Sequence, residues 1–363
     1  MFLARRMVCV LWLIERRKPG MDFALNEEQQ MLQESARRFF ADHHPLARAR
    51  RALPWADAAQ PQLWADMAHM GWMALLLPEA HDGLDLGLVE ASLVAEEAGR
   101  QLVNLPWASS AVLLALWFKA APEAAPAALR EAVQSMLAGA RALHCVADTD
   151  AWWDHAGQCS DLVVVRGWHD ASVPLQIALV EASTLRASPA LDATLRQAPA
   201  ASAALDWHTL DISAEARAQA RRAHRLVLAA ELVGVAQAAL EMASGYAKER
   251  VQFGKPIGSY QAIKHQLANA WMGVDNARLA VWYAAAALDG GLPDARFACA
   301  VADFAAIEGA LQSTRTAVQV HGGMGFTWEH DAHLFLKRAQ HLATRLGGAS
   351  RALGVVEDLA LAA

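Results

Sequence analysis

Four cysteines in 363 residues (Cys9, Cys145, Cys159 and Cys299) form no C-x-x-C pair. Neither a disulfide framework nor a zinc site is indicated, and a reducing cytoplasm fits. Positive charge is not in excess: 32 Lys and Arg stand against 38 Asp and Glu, and the basic residues are mostly scattered. A net charge of −6 argues against a general nucleic-acid binder, which needs a basic face. Long apolar runs near the start are missing too. Val8–Ile14, between Arg5-Arg6 and Arg16-Arg17-Lys18, is too short to span a bilayer, and no small-residue cleavage site follows it. No membrane span is expected, and residues 1–20 read as an extension outside the fold, with Met21 as the natural start. His265, His321, His330, His333 and His341 have no Glu three residues before them, so the paired Glu-x-x-His of a di-iron bundle is missing and no metal is expected.

What the chain has in quantity is Ala and Leu, with 55% hydrophobic residues. That is ample for a buried core in two or three domains. Asn26 can cap a first helix, with Glu27 and Glu28 suiting its positive end and Met31, Leu32, Ala36, Phe39 and Phe40 forming an apolar face. Further helices are expected at 63–70, at 88–102 with Glu96-Glu97 on the polar side, and as a pair within 112–138 that Gly139 stops. Pro106–Ser110 reads as a turn. From Ala214 the pattern is helical again: 214–250, 260–288, 295–319, 329–346 and a last segment to Ala363. Long apolar-faced helices with short links predict an antiparallel bundle.

Between 142 and 211 the periodicity changes. Leu162–Val165 and Ile177–Val180 are short strand-like runs, and Asp154–Gly157 reads as a turn. Trp152 and Trp153 suit the packing of a small β core better than stacking on a ligand ring. The fold class expected is mainly α with a small β-domain: an N-terminal helical domain at 21–141, a reduced β-domain at 142–211 and a C-terminal four-helix bundle at 212–363.

Two stretches carry chemistry. Tyr246–Ile263 interrupts the helices with Gly254, Pro256 and Gly258 and presents Arg250, Gln252 and Lys255 around Phe253. A guanidinium beside a glycine turn suits an anionic group, although a solvated helical corner has the same composition. Gln319-Val-His-Gly322-Gly323-Met-Gly325-Phe326 is a glycine loop whose N–H groups can face a ligand.

In this order, about seventy residues apart, the two stretches resemble the signatures of the acyl-CoA dehydrogenase family. That family has Arg-x-x-Phe-Gly-x-x-Ile followed by a Gln, then Gln-x-x-Gly-Gly-x-Gly-Phe/Tyr. Gly71-Trp72…Pro78-Glu79…Gly83-Leu84 is similar to its N-terminal domain. The resemblance implies FAD as cofactor, an acyl-CoA substrate, electron-transfer flavoprotein or a similar acceptor, and an oligomer. It implies that Arg250 and Phe253 reach the flavin dinucleotide of a neighbouring subunit with Gln261 nearby, and that Gln319, Gly322 and Gly323 line the adenosine and pyrophosphate path. A dinucleotide asks for such a set: a cation, an amide and glycine backbone.

The reaction implied is α,β-dehydrogenation of an acyl thioester, in which a desolvated carboxylate removes the α-proton. The family's usual Glu position falls on Leu346, and its other known position falls near His224. The family's Thr-Glu-Pro…Gly-Ser segment is not found, and Thr149 is at most a relic of it. Glu231, set in the apolar helix 226–240, is a candidate base, weighed against a plain ion pair with an Arg. His224 is a second candidate base by its pKa, weighed against a place in the solvated first turns among Arg221, Arg222 and Arg225. Thr327–Asp331 and His333–Ala339 resemble a branch acting on steroid side-chain and other bulky acyl-CoAs, some of whose members are heterotetramers with one subunit lacking the Glu. Three readings follow: a dehydrogenase with an unusual base, a silent subunit paired with a Glu-bearing homologue, or a helical interaction protein without flavin.

Overall fold

The computed structural model describes residues 24–51, 60–120, 126–168, 170, 172–201 and 204–361. The expectation for residues 1–20 lies outside them. Helix α1 (Glu27–His43) starts with a capping box, in which Asn26 and Gln29 each accept from the other's backbone N–H. It is followed by α2 (Leu46–Arg51), α3 (Pro61–His69), α4 (Leu88–Arg100), a π-helical turn at Ala108–Leu114, α5 (Ala115–Ala120) and α6 (Ala127–Leu137). The stop at Gly139 holds, with φ +76°. The turn expected at Pro106–Ser110 is instead the entry into the wound π segment, whose Ala108, Ser109 and Ser110 are all buried.

The β region is richer than its sequence suggests. Strands β1 (Leu143–Ala147), β3 (Asp161–Arg166), β4 (Gln176–Glu181) and β7 (His208–Thr209) form one sheet in the order β1-β3-β4-β7. Strands β2 (Trp152–Asp154), β6 (Arg196–Pro199) and β5 (Ser188–Pro189) form a second, so the expected turn at Asp154 begins one residue later. Strand β3 runs parallel to β1 and antiparallel to β4. It is apolar on both sides because it serves two cores. Val163 and Val165 face the helices, whereas Leu162 and Val164 pack with Trp153 and Ala198. Trp153 thus packs the small core, while Trp152 is exposed.

The remaining elements are α7 (Ala214–Glu249), a hairpin of β8 (Val251–Gln252) and β9 (Lys255–Pro256), α8 (Gln261–Asp289), α9 (Ala295–His321), α10 (Ala332–Arg345) and α11 (Ala349–Leu361). Helix α10 begins three residues later than expected, because Thr327–Asp331 runs as bends and turns after the 3-10 turn at Gly322–Phe326. Helix α7 is long and apolar enough to cross a membrane, but 67% of its most apolar window is buried, as in a core helix. It packs on α4, α8, α9 and α10.

Glycines set how closely α4 and α7 cross. A Cβ on Gly99 would overlap the Glu231 carbonyl, and one on Gly234 would overlap that of Glu96. Gly234→Ala is expected to lower stability by about 1–3 kcal/mol in urea unfolding, since backbone cannot give way as a side-chain end can. The same crossing corrects the expected polar side of α4. Glu96 and Glu97 are buried, Glu96 against Arg278 at 2.9 Å and Glu97 against Arg37 at 2.9 Å. Helices α1, α7 and α8 cover α4, and long arginines reach in to pair the carboxylates.

Candidate active site

Helix α7 passes two adjoining cavities that share His224, Leu228 and Arg345. The inner one, about 50 Å³, lies where Val103–Ser109, the β region, α7 and α10 meet. The outer one, about 610 Å³, is bounded by the first turns of α7 and α9, Trp168, and the segment from Thr344 through α11.

Arg338 of α10 is central to the inner site. It donates to Asp192, to Glu231 at 2.8 Å, to Thr194 Oγ1 at 2.7 Å and to the Val103 carbonyl at 2.8 Å. Burial alone raises the Asp192 carboxyl, but Arg338, His341 and the Thr194 N–H bring it below its ordinary value. Burial also raises Glu231, and here Arg338 offsets only part of it. Glu231 therefore has the Arg partner weighed for it, and it lines the inner cavity as well.

Histidines fill much of the remaining space. Ser109 Oγ lies 2.7 Å from His144 Nδ1, and the His144 and His155 rings meet edge to face at 4.6 Å. Within the described residues His144 Nε2 and His155 Nδ1 have no partner. Burial, then neighbouring His and Arg charge, pushes His144 far below its ordinary pKa and His155 down to about 3. His224 also falls to about 3, by burial first and then by Arg345 and Arg225. It is not in a solvated turn, as its arginine-rich neighbourhood suggests, but buried beside Trp168. The arginines flank it on the strip of helix that faces the outer cavity.

A histidine neutral when folded but protonated when unfolded stabilises the fold above its unfolded pKa. That stability is lost as pH falls from about 6.5 toward about 3. His224→Leu is expected to make the pH dependence shallower by about 1.4 kcal/mol per pH unit between pH 6 and pH 4. Urea unfolding at several pH values checks this.

The position implied for the base does not change character in three dimensions. Leu346 is buried at 1% exposure, and its carbonyl accepts from Arg225 at 2.8 Å.

The two motif stretches lie elsewhere. Tyr246 of α7 stacks on His321 at 4.4 Å, which brings the first stretch against the second. Arg250, Gln261, Gln319, Gly322 and Gly323 are all exposed there. Arg250 makes no side-chain hydrogen bond or ion pair among the described residues. Gly322 has φ +63°, and neither it nor Gly323 has anything within 4 Å of where a Cβ would stand. Phe253 is 91% exposed and held at φ +53° in the tight β8–β9 turn, next to Gly254 at +79°. Both features cost energy in an isolated chain, so they ask for a function. A cation, an amide, an open backbone shelf and an exposed ring fit the adenosine and pyrophosphate arm of a dinucleotide.

The predicted site residues thus form two groups. Glu231 sits in the inner cavity, and the motif residues sit at the far end of α7. From His224 to Arg250 is about 39 Å of helix. Ser109, His144, His155 and Arg345 carry no motif, Arg338 lies in the stretch that resembles the bulky-substrate branch, and only the tertiary fold gathers them around Glu231.

The acyl-CoA dehydrogenase C-terminal domain matches residues 216–354, and the N-terminal domain matches 26–124. The acyl-CoA dehydrogenase IpdE2 of Mycobacterium tuberculosis is 33% identical over 322 residues, covering 88% of this chain and 93% of its own. Among solved structures, a variant of the Tcur3481–Tcur3483 steroid ACAD superposes with a TM-score of 0.74 at 26% identity, covering 92% of this chain and 98% of that one. The Mycobacterium tuberculosis ChsE4–ChsE5 complex has the same fold, with a TM-score of 0.78 at 22% identity, covering 93% of this chain and 98% of that one. Motifs, helical frame and near full-length similarity coincide, and the chain belongs to the acyl-CoA dehydrogenase family.

Proposed function

We propose that this chain is the subunit without a base in a heteromeric, FAD-linked acyl-CoA dehydrogenase that acts on a bulky acyl-CoA. The observation that carries this reading is the buried Leu346 where the resemblance calls for a carboxylate. The inner cavity adds support, because arginine and histidine side chains leave only about 50 Å³ there. The other end of α7 has the opposite character: Arg250, Phe253 and the Gly322-Gly323 shelf face outward. About 28 Å of helix separates Arg250 from Glu231, the nearest α7 residue that lines a cavity of this chain, which supports a dinucleotide at that corner reaching toward a neighbouring subunit.

In this reading Arg250 holds phosphate oxygens, Gln319 offers its amide to the polar edge of the adenosine, and Gly322 and Gly323 let the backbone come close. Exposed Trp271, Met272, Phe326 and Trp328 provide apolar surface toward the partner, a Glu-bearing homologue. FAD, when bound, supplies the acceptor for the substrate's β-hydride, and the partner's carboxylate takes the α-proton. Electrons then pass to electron-transfer flavoprotein or a similar acceptor. Among the described residues Cys145, Cys159 and Cys299 are free, which fits work in the cytoplasm.

A visible absorption spectrum tests the proposal. The chain alone is expected to be colourless. Co-purified with its Glu-bearing homologue it is expected to be yellow and to bleach with a bulky acyl-CoA under anaerobic conditions. A second reading rests on Glu231, a raised carboxylate lining the inner cavity. If the chain alone is yellow and bleaches, the partner reading fails, and Glu231→Gln is expected to abolish that reduction.

A further inference from the structure

The glycine shelf depends on its flanks for its place. Gly322 leaves α9 at φ +63° and ψ −142°, a left-handed conformation that favours glycine. Apart from their chain neighbours, neither Gly322 nor Gly323 has an atom within 4 Å of where a Cβ would stand. The residues on either side are the anchors. A Cβ on Gly325 would lie 2.8 Å from the Val318 carbonyl and 3.1 Å from the His321 Cβ, so the loop folds back onto the last turn of α9. His321, the other anchor, is itself buried.

The ring of His321 is fixed from three directions. Its Nδ1 lies 2.7 Å from the Ala317 carbonyl, which can only accept, so Nδ1 carries a proton and donates. Its centroid is 4.4 Å from that of Tyr246, with the planes tilted by 30°. It is 4.2 Å from that of His330, with a tilt of 45°. His330 is held in turn, because its Nδ1 accepts from the Ala332 N–H at 3.1 Å where α10 begins. Tyr246 stands one turn before Arg250, whose backbone N–H donates to the Tyr246 carbonyl at 2.9 Å. Three rings thus join the end of α7, the end of α9 and the entry to α10. Ring pairs prefer particular geometries, which an aliphatic contact does not impose.

We infer that His321 is a positioning residue for the dinucleotide: held against Tyr246 and His330, its ring sets where the Gly322–Gly323 shelf stands relative to the Arg250 turn. Phosphate oxygens can then meet a guanidinium and bare backbone together. This inference rests on reading that corner as a dinucleotide site.

Tyr246→Leu removes one ring and keeps an apolar side chain, whereas Tyr246→Phe keeps the ring. Two measurements on each variant make the test. One is hydrogen–deuterium exchange of the full chain alone. The other is the FAD affinity of the complex with the Glu-bearing homologue, by flavin fluorescence. In Tyr246→Leu the amides of residues 322–327 are expected to exchange about tenfold faster, with those of 226–240 on the same helix unchanged. The FAD affinity of that complex is expected to fall about fivefold. Tyr246→Phe is expected to stay within about twofold of the wild type in both. Unchanged loop exchange in Tyr246→Leu, exchange that rises equally along α7, wild-type FAD affinity despite a loosened loop, or an equal loss in Tyr246→Phe overturns the inference and leaves the dinucleotide site standing. A wild-type complex without flavin overturns the site and the inference together. Should Tyr246→Leu fail to fold, His330→Leu, which removes the other ring, is read in the same way.

Discussion

Arg338→Met is expected to lower the stability of this chain by about 3–5 kcal/mol, the cost of leaving buried charges without their counter-ion. Arg338 is 2% exposed and reaches three parts of the molecule. It binds Asp192 and Thr194 in the β region, the Val103 carbonyl after α4, and Glu231 on α7. Methionine fills a similar volume and satisfies none of these groups. The buried Asp192 carboxylate, the partly buried Glu231 carboxylate, a hydroxyl and a carbonyl lose this donor together.

The deficit has a pH signature. In the wild type, Asp192 is held below its ordinary value, so its contribution is present at neutral pH and lost as pH falls through its folded pKa. Without Arg338, both Asp192 and Glu231 protonate more readily in the folded state. The variant should therefore be far weaker than the wild type at pH 7 and close part of the gap near pH 4.5. Urea unfolding at both values decides it. A loss under about 1 kcal/mol at pH 7, or a gap that widens on acidification, would remove Arg338 from the centre of this network.

Arg250→Ala is expected to have the largest effect on flavin retention with almost none on folding. The Arg250 side chain is exposed and has no hydrogen-bond or ion-pair partner among the described residues, so the chain alone loses little when it goes. A charge-assisted hydrogen bond to phosphate contributes about 1.5–3 kcal/mol, which corresponds to roughly ten- to a hundredfold in affinity. The flavin-to-protein absorbance ratio of the co-purified complex should fall accordingly, with an unchanged thermal midpoint for the chain by itself. Arg250→Lys should recover only part of the loss, because an ammonium cannot present a two-pronged fork to phosphate. Normal flavin content in Arg250→Ala would count against the motif corner as a dinucleotide site.

The sequence by itself determined the helical frame and the two motif corners. Both are local. Helix α1 is set by Asn26, Gln29 and a periodic apolar face, and the long helices by runs of Ala and Leu between glycine breaks. Arg250, Phe253, Gly322 and Gly323 were legible because their spacing along the chain is itself the signal. So was Leu346, since an apolar residue in place of a carboxylate is a fact of sequence.

What only the tertiary structure decided is which charges meet. Glu96 and Glu97 look like a solvated pair, but three neighbouring helices enclose them and arginines from elsewhere bind them. His224 looks exposed among arginines, yet the β region and Trp168 close over it. Arg338 pairs with a residue 146 positions away, and no local pattern foretells that. The scattered arginines of α7, α9, α10 and α11 become one basic cavity only when these helices are packed. Helix periodicity depends on neighbours three and four residues apart, so a single sequence displays it. Burial, pairing and pKa depend on neighbours in space, and those are set by packing.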